Sequence, residues 1–262
     1  MKKIFSLIAL LALIVSCGGS NSNSVSGGGA YKIDGTIAFE GIVDGDSLSM
    51  GYSNDGMSYT PESYAVIKDG KFKFSGKVKS TQLCYLVNHK TEEPLAQLFL
   101  EGGDITVSIT NENLVVSGTA SNDGFNNLQA TLQDYVMKLQ EKQFALYLDT
   151  TLTEAQREEI IGELQTLSEQ ASTIAKEFVV NNITTLPGLF MLVQCANLFD
   201  DQEFDALANQ VPEGFKNCKD NCLYEVLVSI QEQKKNPQDF SNDFEMLEQM
   251  VDSIASETPE AK

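Results

Sequence analysis

The chain has 262 residues, and its 37 acidic and 18 basic side chains give a formal net charge of −19. A phosphate backbone repels such an anion, so nucleic acid is excluded as an expected partner. The chain has a single histidine, His89, and no tryptophan. One histidine excludes a multi-histidine metal centre, and a histidine-activated nucleophile would have to use His89. The apolar content of 42% is that of a folded globular chain.

Residues 1–16 have the pattern of a bacterial lipoprotein signal peptide. Lys2 and Lys3 precede an apolar run that is too short to span a bilayer as a mature helix. The run ends in Ile-Val-Ser-Cys at 14–17, which resembles a lipobox, the motif whose cysteine is acylated and becomes the new N-terminus. We expect Cys17 to be the lipid attachment site, since several acyl chains anchor a protein stably. An ordinary signal peptide beside an unmodified Cys17 is the alternative.

The segment 17–30 combines the lipidated cysteine with a tether of Gly, Ser and Asn that has little to bury. Cleavage before Cys17 removes two lysines and takes the charge from −19 to −21. No acidic cluster follows Cys17, whereas in some bacteria such a cluster marks lipoproteins for the outer face. We therefore expect a lipid-anchored envelope protein at the outer membrane, facing the periplasm and contacting the membrane through its anchor.

Residues 31–120 have the alternating pattern of a β-rich domain. Short segments from Tyr31 to Gly118 predict about eight strands separated by turns, as in an antiparallel β-sandwich or barrel. Asp69-Gly70 predicts a two-residue hairpin turn. Turn chemistry accounts for the other loop glycines and acids, because none of them forms a phosphate-binding or calcium-binding motif. We therefore predict no metal site and no cofactor.

Residues 121–235 change to a helical period. Two apolar stripes spaced by three and four residues predict an antiparallel helical hairpin, with a capping box opening the second helix at Thr153. Shorter helices follow between Pro187 and Lys235. Residues 236–262 predict an amphipathic helix with an apolar stripe over 240–254 and a frayed tail, and this helix is either part of the core or a docking element. The fold class is α+β, a β-domain followed by an all-α region.

Several short motifs occur together in this order. They are the lipobox, a YxIxGxI strand from Tyr31, a DGKFxFxG hairpin from Asp69, an LEGGDIxV turn from Leu100 and a VSGTxxND exit from Val116. The chain thereby resembles a bacterial lipoprotein family of unknown function, the domain-of-unknown-function family 4369. The resemblance covers roughly residues 31–235.

In many relatives this region precedes a thioredoxin-like domain of the AhpC/TSA thiol–disulfide oxidoreductase type, which carries a WCxxC motif. The present sequence has no CxxC, and the 27 residues after Lys235 are too few for a βαβ redox domain. No catalytic residue of the relatives therefore has a counterpart to which its role transfers. The resemblance implies an accessory, non-catalytic protein.

Apart from Cys17, four cysteines permit two disulfides with three possible pairings in an oxidising envelope. Cys218 and Cys222 are the local pair, four residues apart, and form a candidate disulfide with a redox role. A structural bridge or two free thiols are the alternatives. We expect Cys84 in a strand and Cys195 in an apolar helix to be buried, and His89 to lie in a loop.

Two functional hypotheses remain open. The first is a non-catalytic lipoprotein that binds a protein or small ligand through its β-domain or its last helix. The second is a redox or disulfide-linked accessory protein that uses Cys218 and Cys222.

Overall fold

The computed structural model describes residues 27–53, 59–216 and 223–235. Its first half contains eight β-strands, all shorter than eleven residues. They are β1 (Gly29–Ala38), β2 (Ser47–Ser53), β3 (Tyr59–Val66), β4 (Lys71–Val78), β5 (Gln82–Asn88), β6 (Pro94–Leu100), β7 (Gly103–Thr110) and β8 (Leu114–Ser117).

The strands form two four-stranded sheets that pack face to face. The first sheet has the order β4-β1-β7-β8 and the second the order β3-β2-β5-β6. All pairings are antiparallel except that of β1 with β7, which is parallel with Ile33 opposite Ile105. A parallel pair needs a long connection, and the strands β2 to β6 supply it. The prediction of a sandwich is confirmed, and the barrel alternative is wrong because the two sheets remain separate.

The core of the sandwich consists of the inward-facing side chains of both sheets. Ile33, Phe72 and Val107 come from the first sheet, and Leu48 and Leu86 from the second; all five are buried. Because side chains alternate along a strand, the neighbours of these residues point to the outer faces. The second sheet therefore turns residues such as Ser49 and Val87 away from the sandwich core.

The second half of the described chain is helical. Its elements are α1 (Ala120–Leu148), α2 (Glu154–Asn182), α3 (Leu186–Gln194), a short 3₁₀ turn (Ala196–Leu198), α4 (Asp201–Ala208), α5 (Glu213–Lys216) and α6 (Leu223–Lys235). The helical hairpin predicted from the two stripes is α1 and α2. Thr153 and Asp200 open α2 and α4 with capping boxes, and Pro187 lies in the first turn of α3.

The helices pack on the outer face of β5 and β6. Leu83 and Phe99 of these strands join the helical core, which includes Val179 of α2 and Leu189 of α3. The fully buried residues of α1 and α2, such as Val179, lie at the end of the hairpin nearest the sheet. The remainder of the hairpin extends away from the sandwich as an arm, with a half-buried stripe along it.

Glu101 connects the sandwich to the helices. Its buried carboxylate accepts hydrogen bonds from the backbone N–H of Ser121 at 2.9 Å and from the Ser121 hydroxyl at 2.7 Å. An anionic acceptor in the first turn of α1 satisfies a free N–H and complements the helix dipole. The adjacent Asn122 forms hydrogen bonds with both backbone groups of Phe99, which fixes α1 to β6.

No helix in the described part of the chain is long and apolar enough to cross a membrane.

Candidate functional site

A cavity of about 350 Å³ lies on the outer face of the second sheet, beside the helices that cover β5 and β6. We call it the His89 cavity. It lies where β2, the edge strand β3 and the end of β5 meet. The residues that line it are Ser49, Tyr59, Pro61, Val87, Asn88, His89 and Glu92. Its volume falls within the range of small-ligand sites in proteins.

The strand register explains why these residues share one face. Ser49 of β2 stands directly opposite Tyr64 on one side and Val87 on the other. The Ser49 hydroxyl, which is buried, donates a 3.4 Å hydrogen bond to the Val87 carbonyl and accepts one of 3.1 Å from the Tyr59 hydroxyl. Burial raises the pKa of the Tyr59 phenol, so the phenol is a hydrogen-bond donor at neutral pH. These two hydrogen bonds, from Tyr59 to Ser49 and from Ser49 to Val87, form a relay that holds the floor of the cavity in place.

The turn between β5 and β6 forms the wall of the cavity, and Asn88 organises it. The buried side-chain oxygen of Asn88 accepts a 2.9 Å hydrogen bond from the N–H of Lys90, and its backbone bonds both Glu92 and Glu93. The predicted loop position of His89 is confirmed. Its ring lies 5.0 Å from that of Tyr64 in an edge-to-face arrangement, which is the favoured geometry for such pairs.

Glu92 has an uncommon backbone conformation. Its φ is +59°, and among the described non-glycine residues it shares a positive φ with Asp69 alone. The Asp69-Gly70 turn, with φ of 51° and 65°, is the type I′ hairpin in which aspartate and glycine are preferred. Glutamate has no such preference, and a left-handed residue costs about 1 kcal/mol. A strained residue on the wall of a cavity is characteristic of a binding site.

Two smaller crevices lie between the sheet and the helices. One, of about 190 Å³, is lined by Phe99, Phe125 and Phe190 together with four carboxamides. The other, of about 180 Å³, lies beside Glu101 and Ser121. Asn122 and Glu101, their buried polar groups, are already engaged in attaching α1 to the sheet. These crevices are best explained as packing defects of the junction.

A larger hollow of about 620 Å³ runs along the arm between α1 and α2. Its walls are mostly charged side chains, including the Lys142–Glu163 ion pair, and both of these side chains are more than a third exposed. Exposed charges in an open groove are a solvated surface. The groove therefore lacks the fixed polar groups that the His89 cavity has.

Among the described residues, Cys84 and Cys195 are free thiols. Burial raises the pKa of both, most strongly for Cys84, which lies inside the sandwich core. A raised pKa suppresses the reactive thiolate, so neither residue has the properties of a redox cysteine. The expected burial is confirmed for Cys84, whereas Cys195 is only half-buried. Cys17, Cys218, Cys222 and the predicted 240–254 helix lie outside the described residues.

No group of three or more His, Cys, Asp or Glu side chains in the described ranges is arranged to hold a metal ion.

The comparison with protein families matches residues 31–125 to a family described as a domain of unknown function. This segment is a DUF4369 domain. It contains every residue that lines the His89 cavity, so the cavity belongs to the DUF4369 domain and not to the helical region. A comparison with curated proteins finds no match for the chain.

The sequence placed His89 in a loop and indicated no role for it, and it gave no sign of the other residues of the cavity. Ser49, Tyr59 and His89 come from three elements spread over forty residues, and no spacing rule joins them before the sheet order is known. The one local signal was a histidine at a strand end followed by acidic residues. The positive φ of Glu92 could not be predicted from the residue type, because glutamate is an ordinary loop residue.

Proposed function

We propose that this protein is a lipid-anchored cell-envelope protein whose β-domain binds a ligand without chemically changing it. The observation that carries the binding role is the His89 cavity, a hollow of about 350 Å³ whose lining includes Ser49, Tyr59, His89 and Glu92. Sites of this size with a few fixed polar groups are typical of ligand recognition. The anchor rests on the sequence around Cys17.

A binding role suits the chemistry of these groups better than catalysis. Nucleophilic catalysis needs a base hydrogen-bonded to the nucleophile. The hydroxyl of Ser49 instead donates to the Val87 carbonyl and accepts from Tyr59, so it is held by the relay. His89 contacts Tyr64 through ring packing. These contacts fix side-chain positions, which is what a receptor for a ligand requires.

Fluorine NMR tests the binding role. The chain contains eight tyrosines, and replacing them by 3-fluorotyrosine gives resonances for Tyr59 and Tyr64 at the cavity and for Tyr147 near the end of the arm. A panel of sugars, amino acids, organic anions and organic cations is added to the purified full chain. We expect at least one ligand class to shift Tyr59 and Tyr64 selectively. Shifts no larger than that of Tyr147 across the whole panel would contradict a binding site at the cavity.

Metabolic labelling with an alkyne-tagged fatty acid tests the anchor. We expect the natural chain and Cys195→Ser to incorporate the label and remain in the membrane fraction, because both keep Cys17. Cys17→Ser should lose both properties. Label that persists in Cys17→Ser would show that the lipobox interpretation is wrong.

The redox alternative depends on Cys218 and Cys222, since Cys84 and Cys195 have raised thiol pKa values. Alkylation with a mass tag, at ambient potentials from strongly reducing to oxidising, measures the redox state of each thiol. Reversible exchange of Cys218 and Cys222 over the range of the envelope would favour this alternative over simple binding. Thiols or a bridge that do not change over that range would exclude it.

A further inference from the structure

We infer that the ligand of the His89 cavity is an aliphatic cation, an ammonium or guanidinium group on a short carbon chain such as a lysine or arginine side chain. This inference rests on the proposed binding function and adds the chemical class of the ligand. It follows from three properties of the cavity: its charge, its aromatic rings and its apolar wall.

The charge of the lining is negative. Glu92 is the acidic residue of the lining, and no lysine or arginine is among the lining residues. The net charge of −19 adds a long-range field that attracts cations and repels anions. An anionic ligand would meet Glu92 without a compensating cation. The electrostatics therefore favour a positively charged ligand.

Aromatic rings and an apolar wall complete the site. Tyr59 is fixed through its hydroxyl bond to Ser49, and the Tyr64 and His89 rings are packed against each other, so three rings are held at or beside the cavity. Ammonium and guanidinium groups are attracted to aromatic faces. Pro61 and Val87 add apolar surface that suits an aliphatic chain better than a hydrated metal ion.

The turn between β5 and β6 fixes the backbone of Glu92. The turn holds Glu92 at a φ of +59°, where glycine is far better tolerated, while the adjacent Glu93 has no positive φ. The buried Asn88 fixes this conformation by accepting the Glu92 N–H at its carbonyl, at 2.8 Å. The turn therefore gives Glu92 a defined place in the lining of the cavity.

Two matched probes test the inference on the full chain labelled with 3-fluorotyrosine. They are N-acetyl-lysine methylamide and N-acetyl-norleucine methylamide, which share an aliphatic chain but differ in the terminal ammonium. We expect the lysine probe to shift Tyr59 and Tyr64 and to bind about tenfold more tightly than the norleucine probe, a difference of about 1.4 kcal/mol. Added salt should weaken the lysine probe alone.

Glu92→Gln should weaken the lysine probe by about tenfold and leave the norleucine probe unchanged, because it keeps the shape of the side chain and removes the charge. Glu93→Gln is the matched control, since Glu93 is adjacent and does not line the cavity. It should leave both probes unchanged. A thermal melt of each variant establishes that it is folded.

Equal affinity for both probes, or equal losses in Glu92→Gln and Glu93→Gln, would overturn the cation inference. If the cavity tyrosines respond to neutral or anionic members of the panel but not to the lysine probe, the inference fails and the binding function stands. If no compound shifts these tyrosines, both fail.

Discussion

Glu92 and Asp69 show at the scale of single residues how similar backbone angles have different explanations. Both have positive φ, yet Asp69 precedes a glycine in a type I′ turn that favours it. Glu92 lies in a turn organised by Asn88, at a position where glycine would be easier to accommodate. Residue preference accounts for Asp69, whereas the backbone hydrogen bonds of Asn88 hold Glu92 in this conformation.

Glu92→Gly should therefore stabilise the protein while it weakens ligand binding. Relief of the left-handed conformation is offset in part by the greater freedom of glycine in the unfolded chain, which leaves a gain of about 0.5–1 kcal/mol. Urea unfolding of the full chain measures it. Glu93→Gly lacks the strain to relieve and should destabilise the chain. A loss of stability in Glu92→Gly equal to that in Glu93→Gly would remove the argument from strain.

Asp44 is a turn residue whose structural role was not predicted from the sequence. Its carboxylate accepts hydrogen bonds from the backbone N–H of Gly70 at 3.0 Å and of Asp69 at 2.8 Å. These bonds hold the pKa of Asp44 below its usual range. A lowered folded-state pKa contributes stability above the unfolded value of about 3.9, and this contribution is lost as the pH falls through the folded-state value.

Asp44→Asn should accordingly lower the melting temperature at pH 7, and the effect should diminish as the pH falls through the lowered folded-state pKa of the natural carboxylate. Thermal unfolding of both proteins between pH 2 and pH 8 measures the difference. Glu112→Gln, in another exposed turn, is a suitable control and should leave the curve nearly unchanged. A melting-temperature difference that is constant over this range would contradict a role for the Asp44 charge.

At the scale of elements, two helical glycines differ sharply in their surroundings. Gly162 of α2 has open space where a Cβ would lie. A Cβ on Gly188 of α3 would be 1.9 Å from the carbonyl oxygen of Asn182. The first glycine only weakens its helix, whereas the second permits close contact between α3 and the end of α2.

Gly162→Ala should thus stabilise the protein by about 0.5–1 kcal/mol, the ordinary preference for alanine within a helix. Gly188→Ala should destabilise it by about 1–3 kcal/mol, because the added methyl group forces the backbone apart. Paired urea titrations compare the two variants. Effects of the same sign would show that the packing of α3 on α2 is misdescribed.

The helices and strands also show which features of the fold can be predicted from local sequence patterns. The capping box at Thr153 and the turn at Asp69-Gly70 were predicted because each signal lies within four residues. The parallel pairing of β1 with β7 was not, because it joins segments some seventy residues apart. The contact of α1 with β6 through Asn122 was missed for the same reason.

At the scale of the whole molecule, the helices cover only part of the outer face of the second sheet. Phe99 on β6 lies under α1 and α3, while Ser49 and Val87 face the His89 cavity. Glu101 and Asn122 fix this arrangement by attaching α1 to the sheet. The helical region therefore covers one part of this outer face, and the His89 cavity lies on another part.

The location of the binding site is the central claim, and one paired titration tests it directly. The tightest ligand from the NMR panel is titrated into His89→Ala, which alters the cavity, and Asn126→Ala, which alters the crevice under the helices. We predict that His89→Ala weakens binding by about tenfold, or 1.4 kcal/mol, and that Asn126→Ala leaves it unchanged. A loss of affinity in Asn126→Ala with none in His89→Ala would contradict the account.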